Sequence, residues 1–252
     1  MQETNPPSCW TPPPAVLDLQ PRRVDLWRAR LDIPVEILNQ LEMTLSPEER
    51  ERAARFYFPA DRDRFISAHG CLRDVLRRYL GCEPEQLAFS ANQYGKPALH
   101  EHKLEFNLSH SGDFALIAVA RDRRIGIDVE HIRQDVEIER IASRYFSQRE
   151  VSDLMQLPDE QEVMGFFNCW TRKEAYIKAQ GLGLSLPLES FDVSLTPDEP
   201  ALLRATRPDP QEAARWSLLS LEIDPCYRAA VVAEGIDLEF RLWDWNRTRV
   251  IQ

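Results

Sequence analysis

Three motifs that bind nucleotides or metals are missing from this chain of 252 residues. It contains no Walker loop, no Gly-x-Gly-x-x-Gly and no His-Glu-x-x-His motif, which sets aside P-loop NTPases, Rossmann dinucleotide-binding proteins and zincin metalloproteases. The five cysteines are odd in number, widely spaced and without a Cys-x-x-Cys pair, so we expect neither a disulfide framework nor a zinc site. Isolated cysteines of this kind fit a reducing compartment.

A long apolar run is also missing. No stretch approaches the about 18 consecutive apolar residues that suggest a membrane-spanning helix. The N-terminus lacks a basic segment followed by an apolar one, which a secretory signal would show. Together with the cysteine pattern, these absences predict a cytoplasmic protein with no membrane partner.

An excess of positive charge is missing as well, because 41 acidic residues outnumber 31 basic ones and the formal net charge is -10. This argues against a nucleic-acid partner, since a general nucleic-acid-binding protein needs a basic surface. Residues 50–78 are a local exception, with eight arginines against four acidic residues. They form either a solvated helix face with charge pairs four residues apart or a site for a small polyanion.

The residue pattern predicts a short arm and several helices. Residues 1–20 are rich in proline and predict an extended arm. Ser46 and Ser147 are each followed three residues later by Glu, which is the signature of a helix start. The first of these helices is expected to reach about residue 58. Two longer helices are expected at about 61–80 and 160–180, each ending before a glycine.

Strands alternate with these helices and complete a repeated α+β pattern. Runs at 104–108 and 114–120 predict a hairpin whose polar tip is 109–113. A similar order of elements follows in the second part of the chain, so we expect two similar α+β halves related by a pseudo-twofold axis. The assigned halves are 21–124 and 125–252, and a ligand site would lie between them.

Asp128 and Glu130 stand on a predicted strand, Ile125-Gly-Ile-Asp-Val-Glu130. Side chains alternate across a strand, so both carboxylates share one face at roughly 7 Å. That separation suits joint coordination of one hard cation, which would offset their mutual repulsion. The alternative is an amphipathic strand with a solvated face.

The second long helix supplies a third carboxylate, because Trp170, Glu174 and Lys178 recur every four residues and share one stripe. An exposed Glu and Lys pair at this spacing would be worth only about 0.3–0.5 kcal/mol and needs no function. A large aromatic such as Trp170 usually marks an inward face, however. A partly buried Glu174 and Lys178 pair is a candidate acid/base couple.

Ser109-His110-Ser111 could suggest a nucleophile and its base, but neighbouring residues of an extended segment point to opposite faces, which places Ser109 and His110 poorly for a direct bond. No Gly-x-Ser-x-Gly surrounds either serine. The hydroxyls and the imidazole, with Gly112 beside them, favour a site for phosphate oxygens. A plain polar turn is the alternative.

Four motifs occur in order between residues 45 and 235. They are Tyr94-Gly-Lys-Pro97, Phe106-Asn-Leu-Ser-His-Ser111, Gly126-Ile-Asp-Val-Glu130, and Trp170-Thr-Arg-Lys-Glu-Ala-Tyr-Ile-Lys178 with Gly181-Leu-Gly-Leu184. In this combination the chain resembles the Sfp-type 4′-phosphopantetheinyl transferase superfamily. The resemblance implies transfer of phosphopantetheine from coenzyme A to a serine of an apo acyl or peptidyl carrier protein, with release of adenosine 3′,5′-bisphosphate. It also implies a monomer of two similar halves with the active site between them.

The resemblance also implies roles for individual residues. Asp128, Glu130 and Glu174 would bind Mg²⁺, with Glu174 also accepting the proton of the carrier serine, directly or through a water. Lys178 would stabilise, and could protonate, the departing phosphate. The remaining residues would contact coenzyme A, with His110 near its 3′-phosphate: Arg52, Arg64, Lys96, Ser109 and His110.

One position departs from the family pattern. Where relatives can carry a lysine after the Ser46 cap, this chain has Glu49, with Arg50 and Arg52 beside it, so the 3′-phosphate contacts from this segment are open. Two other functions remain as alternatives: a non-catalytic module that binds carrier proteins or nucleotides, and a metal-dependent hydrolase that cleaves the pyrophosphate of coenzyme A. The carrier and its pathway are not identified by the sequence.

Overall fold

The computed structural model describes residues 9–99 and 103–247. The first eight residues of the predicted arm lie outside this part. Within it the helices are α1 (Val35–Thr44), α2 (Pro47–Ala54), α3 (Pro59–Leu80), α4 (Ile138–Tyr145), α5 (Gln148–Met155) and α6 (Asp159–Gln180). Among the described residues, none of the helices combines the length and the apolar character needed to cross a bilayer.

The strands form two main sheets and two small hairpins. They are β1 (Arg23–Arg30), β2 (Phe89–Ala91), β3 (Pro97–Leu99), β4 (Leu104–Ser111), β5 (Phe114–Arg121), β6 (Ile125–His131), β7 (Phe191–Val193), β8 (Leu203–Thr206), β9 (Trp216–Ser220), β10 (Tyr227–Glu234) and β11 (Glu239–Asp244). The larger sheet has the order β11-β1-β5-β4, and the second has the order β6-β10-β9. β2 pairs with β3, and β7 pairs with β8.

The same arrangement occurs twice along the chain. In each half a first strand is followed by helices, a small hairpin and two sheet strands, and the sheet order is first, last, next-to-last: β1-β5-β4 and β6-β10-β9. α2 and α5 each have 8 residues, and α3 and α6 each have 22. The predicted α+β fold with two similar halves is confirmed.

The two sheets pack face to face, with helices on their outer sides. One apolar core lies between the sheets and includes Leu26, Leu116, Ile127 and Val231. A second core joins the larger sheet to α1 and α3, and a third joins the smaller sheet to α6. This four-layer order brings the edge strand β4 of the first sheet against β6 of the second.

The final strand crosses from one half to the other. β11 belongs by sequence to residues 125–252, but it pairs in parallel with β1 of the first sheet. Trp10 of the arm is buried and its indole N–H donates to the carbonyl of Glu222, 2.7 Å away. The ends of the chain therefore tie the halves together, and the boundary at residues 124/125 stays a prediction.

Both predicted helix starts are confirmed by reciprocal capping. Ser46 accepts from the Glu49 N–H while Glu49 accepts from the Ser46 N–H, and Ser147 and Glu150 do the same. The first helix ends at Ala54, earlier than the expected residue 58. Pro59 begins α3, and the residue before a proline is driven out of the helical region. Phe58 accordingly has φ −93° and ψ 128°.

The predicted hairpin tip is shorter in the structure. β4 continues through Ser109, His110 and Ser111, so Gly112 and Asp113 alone form the turn to β5. The strand continues through these residues, and the side chains of Ser109 and Ser111 find partners on β6. The expected loop at 109–113 is therefore wrong for its first three residues.

Candidate active site

β6 carries two carboxylates on the side opposite its apolar residues, as the alternation predicts. Ile125, Ile127 and Val129 lie in the core between the sheets. Asp128 and Glu130 share the other face, and Asp128 is only 3% exposed. The strand therefore places one buried and one partly exposed carboxylate on the α6 side of the sheet.

Gly126 allows α6 to lie directly against this strand. A Cβ at Gly126 would come within 2.1 Å of the Ala175 carbonyl oxygen and 2.3 Å of the Ala179 nitrogen. A glycine inside a strand often marks such a close approach of two backbones. Here the approach brings Glu174 and Lys178 of α6 next to the carboxylates of β6.

Lys178 forms its ion pair with Asp128 of β6. Its Nζ lies 2.6 Å from Asp128 Oδ1 and 3.0 Å from Ser109 Oγ. Ser109 Oγ in turn donates to Asp128 Oδ1 at 2.9 Å and accepts from the Val129 N–H at 3.3 Å. Lys178 thus contacts Asp128 across the helix and strand, and its charge also acts on Glu174.

The three carboxylates repel one another. Burial, followed by the charge of Asp128, raises the pKa of Glu130. Burial and then Asp128 also raise the pKa of Glu174, with Glu130 adding to the effect and Lys178 opposing it. A cation among the three side chains would relieve this repulsion.

The donor atoms suit a hard cation such as Mg²⁺, although they are not arranged as a complete coordination site. In the described part of the chain, no group of three or more His, Cys, Asp or Glu side chains is arranged to hold a metal ion. Asp128 Oδ2, however, is buried without a hydrogen-bond partner. Carboxylate oxygens are the ligands that Mg²⁺ prefers, so Asp128, Glu130 and Glu174 have the right chemistry to hold it.

His110 extends the site towards α2 and α3. Desolvation by burial, with the positive charges of His69, Lys178 and Arg52, lowers the pKa of His110 to about 4. The residue still exposes part of its surface to solvent, so an incoming anion can reach it. Arg52 lies over the Phe65 ring at 5.2 Å, and Phe65 stacks on His69 at 4.1 Å.

Two predicted coenzyme A ligands make other contacts. Arg64 pairs with Asp113 at 2.9 Å and with Asp61 at 3.6 Å. Lys96 donates to the carbonyls of Ile125 at 2.9 Å and Ala179 at 3.4 Å, and burial lowers its pKa. Lys96 therefore links the start of β6 to the end of α6.

Comparison with known proteins decides the family. Residues 34–122 match the model "4'-phosphopantetheinyl transferase, N-terminal", and residues 124–232 match the 4'-phosphopantetheinyl transferase superfamily. The chain is 45% identical to the 4'-phosphopantetheinyl transferase HetI of Nostoc sp., covering 94% of this chain and 98% of HetI. It is 35% identical to the 4'-phosphopantetheinyl transferase Sfp of Bacillus subtilis, covering 77% and 84% of the two chains.

The chain belongs to the 4′-phosphopantetheinyl transferase superfamily. The two matched segments of this transferase correspond to its two sheets, apart from β1 and β11. Side chains from both segments meet at the site, since Ser109 and His110 come from the first and Asp128, Glu174 and Lys178 from the second.

Glu49, which the resemblance marks as a departure from the family pattern, has a structural use. Glu49 accepts a hydrogen bond from the Ser46 N–H, contacts His69 Nδ1 at 3.1 Å and pairs with the buried Arg73 at 2.7 Å. Its carboxylate holds α2 against α3, so its hydrogen-bonding capacity is used in the packing of these two helices.

Asn107, Ser111 and Gly126 of the transferase have structural roles that the sequence alone did not reveal. Asn107 Oδ1 accepts from the Ile127 N–H at 2.8 Å, and Ser111 Oγ donates to Glu130 Oε2 at 3.0 Å. Two signals were available: polar residues at every second position of 107–111, and a glycine within an apolar strand. Neither signal identifies the residue or element that each of these positions contacts.

Proposed function

We propose that this transferase moves phosphopantetheine from coenzyme A to a serine of an apo acyl or peptidyl carrier protein and releases adenosine 3′,5′-bisphosphate. The observation that carries the proposal is the meeting of Asp128, Glu130 and Glu174 with Lys178 in a chain 45% identical to HetI over 94% of its length. Three carboxylates can hold a divalent cation, and that cation and the ammonium group can offset the negative charge of a phosphate.

Asp128, Glu130 and Glu174 would hold Mg²⁺. When bound, the ion would neutralise charge on the pyrophosphate oxygens and stabilise the leaving group. Asp128 Oδ2 supports this part of the proposal, because a buried carboxylate oxygen without a partner is costly unless a ligand satisfies it.

Glu174 would accept the proton of the carrier serine, directly or through one water. The serine oxygen forms a bond to the β-phosphorus of coenzyme A while the bond from that phosphorus to the bisphosphate oxygen breaks. Lys178, 2.6 Å from Asp128, would place its charge beside the departing phosphate.

The proposed contacts to coenzyme A differ in how much rearrangement they need. His110 and Arg52 are exposed and can approach a phosphate as they stand. Ser109 would have to exchange its bond to Asp128 for one to phosphate, and Lys96 would have to release two carbonyls. Arg64 would have to leave Asp113 or share it.

A direct test incubates the protein with coenzyme A, Mg²⁺ and apo carrier proteins from several pathways, and measures carrier mass. We expect a gain equal to phosphopantetheine, and none with EDTA or with Glu174→Gln. Binding of carriers without any mass gain would indicate a non-catalytic module. Release of phosphopantetheine from coenzyme A without a carrier would indicate a hydrolase.

The proposal includes a monomer in the cytoplasm. It is supported by a site whose charged groups all come from one chain and by cysteines that are free. Because carrier proteins are commonly acidic and this chain has a net charge of -10, long-range attraction should contribute little to their encounter. Rates that change little with salt would agree with docking on a local patch.

A further inference from the structure

β4 and β6 belong to different sheets, yet a regular set of hydrogen bonds joins them. Asn107, Ser109 and Ser111 of β4 accept from the backbone N–H groups of Ile127, Val129 and His131 at 2.8, 3.3 and 3.1 Å. Residues two apart on a strand point to the same side. These three side chains, which we call the β4 ladder, therefore set the register of β6 against the N-terminal half.

The two hydroxyls of the β4 ladder also hold the two carboxylates of β6. A serine has a single hydrogen to donate, and in Ser111 it is directed to Glu130 Oε2 at 3.0 Å while the oxygen accepts from the His131 N–H. Ser109 treats Asp128 in the same way, at 2.9 Å. Each carboxylate of β6 is thus oriented by one hydroxyl from the other half of the molecule.

We infer that Ser111 is a positioning residue that holds Glu130 in the orientation needed for metal binding. The inference rests on the proposed function, since it presumes that Glu130 is a metal ligand. Glu130 is only partly buried and has three side-chain torsions, so an undirected carboxylate would lose conformational freedom when the metal binds. The bond from Ser111 settles the orientation beforehand, as outer-shell partners do at metal sites.

Ser111 is a cleaner probe than Ser109, because Ser109 also bonds Lys178. Ser111→Ala removes the donor, Ser111→Thr keeps it, and Ser111→Cys keeps the size with a weak donor. Ser217→Ala is a matched control: Ser217 is also partly buried and its hydroxyl donates to the Gly235 carbonyl at 2.7 Å, on β9.

The test measures Mn²⁺ binding in the presence of coenzyme A by electron paramagnetic resonance, together with the Mg²⁺ activation constant, kcat and the melting temperature. For Ser111→Ala we expect about tenfold weaker Mn²⁺ binding and a raised Mg²⁺ activation constant. Its kcat at saturating Mg²⁺ should change less than its Mg²⁺ activation constant. Ser111→Thr should restore the affinity, and Ser217→Ala should leave it unchanged.

Unchanged Mn²⁺ affinity in Ser111→Ala, or equal losses in the Ala and Thr variants, would overturn the inference. If Ser111→Ala does not fold, Ser111→Cys decides the question by the same comparison. The unmodified protein is measured in the same series: if it binds no Mn²⁺ and turns over in EDTA, the proposed metal site is wrong. That outcome differs from the one in which the protein depends on metal but Ser111→Ala has no effect, which would overturn only the role of Ser111.

Discussion

Arg73 and Lys173 occupy the same place in the two halves of the molecule. Arg73 is residue 15 of α3 and Lys173 is residue 15 of α6, counted from Pro59 and Asp159. Each lies 2.7 Å from the carboxylate of the capping glutamate of the preceding short helix, Glu49 or Glu150. The same buried ion pair thus fastens the long helix to the short one in both halves.

The residues that follow have diverged between the halves. Asp74 and Arg78 stand where Glu174 and Lys178 stand, but Asp74 is buried and accepts from Arg77, Arg78 and the indole of Trp245. The register also places Trp27 of β1 opposite Ile117 where Asp128 of β6 faces Ala230. The first half therefore fills this location with packed side chains, whereas the second half places carboxylates and a lysine there.

Lys173→Met should strongly destabilise the protein. Lys173 is fully buried and also donates to the carbonyls of Leu188 and Phe191 at 2.8 Å each. Its loss leaves a buried carboxylate without its cation, which costs about 3–5 kcal/mol. Urea unfolding measures the change.

Arg55→Met is the control for that variant. Arg55 and Glu51 form a pair whose side chains are 72% and 69% exposed, so we expect a change below about 1 kcal/mol. Similar losses of unfolding free energy in the two variants would show that burial does not make the Lys173 pair more stabilising than an exposed pair.

Glu174→Gln should abolish turnover and raise the melting temperature of the metal-free protein. The folded protein raises the pKa of Glu174 above its ordinary value of 4.5, so the folded state holds the proton more tightly than the unfolded state. This contribution favours folding at low pH and is lost as pH rises from about 4.5 through the raised pKa. Because the amide of the variant carries no charge, this loss of folding stability does not occur in it at pH 7.

Thermal unfolding in EDTA and in Mg²⁺ checks this prediction. The unmodified protein should gain more from Mg²⁺ than the variant does. An unchanged melting temperature without metal would mean that the repulsion among the carboxylates is already relieved in solution.

Gly126→Ala should reduce the activity of the protein, because Gly126 lies where α6 packs against β6. The new Cβ would lie 2.1 Å from the Ala175 carbonyl oxygen, so α6 must move away from β6 and carry Glu174 and Lys178 with it. We expect a stability loss of about 1–3 kcal/mol and a fall in kcat of about 100-fold, since small misplacements at a site have effects of that size.

Gly81→Ala separates activity from stability. Gly81 ends α3 with φ +67°, and a Cβ there meets nothing within 4 Å. The substitution should cost about 1 kcal/mol because the left-handed conformation disfavours alanine, while kcat stays the same. Equal losses of activity at the two glycines would contradict the role given to Gly126.

His110 should take up a proton when coenzyme A binds. Its pKa of about 4 leaves the imidazole neutral at pH 7, and a nearby phosphate would raise that pKa. Its contribution to affinity should therefore fall as pH rises from about 4 through the higher pKa of the complex. Calorimetry in buffers of different ionisation enthalpy counts the protons.

His110→Asn supplies the reference for that measurement. Titration of the phosphates of coenzyme A is common to both proteins, so the difference between them reports on His110. The same proton uptake in both would place the 3′-phosphate away from this side chain.

Local sequence patterns determined the ends of the long helices, the two helix starts at serine and the two faces of β6. The capping of Ser46 and Ser147, the glycines that end the long helices and the alternation at Asp128 and Glu130 are each decided within about four residues of chain. For that reason the two halves, and the candidate carboxylates on one face, could be predicted from sequence.

The partners of those residues were decided by the tertiary structure. Lys178 reaches Asp128 rather than a neighbour on its own helix, Ser111 reaches Glu130 from the other half, and Lys96 binds the carbonyls of Ile125 and Ala179. Each contact joins elements distant in sequence, and each depends on how closely backbones approach, as at Gly126. Spacing along one chain segment determines which way a side chain faces, whereas packing between segments determines what it meets.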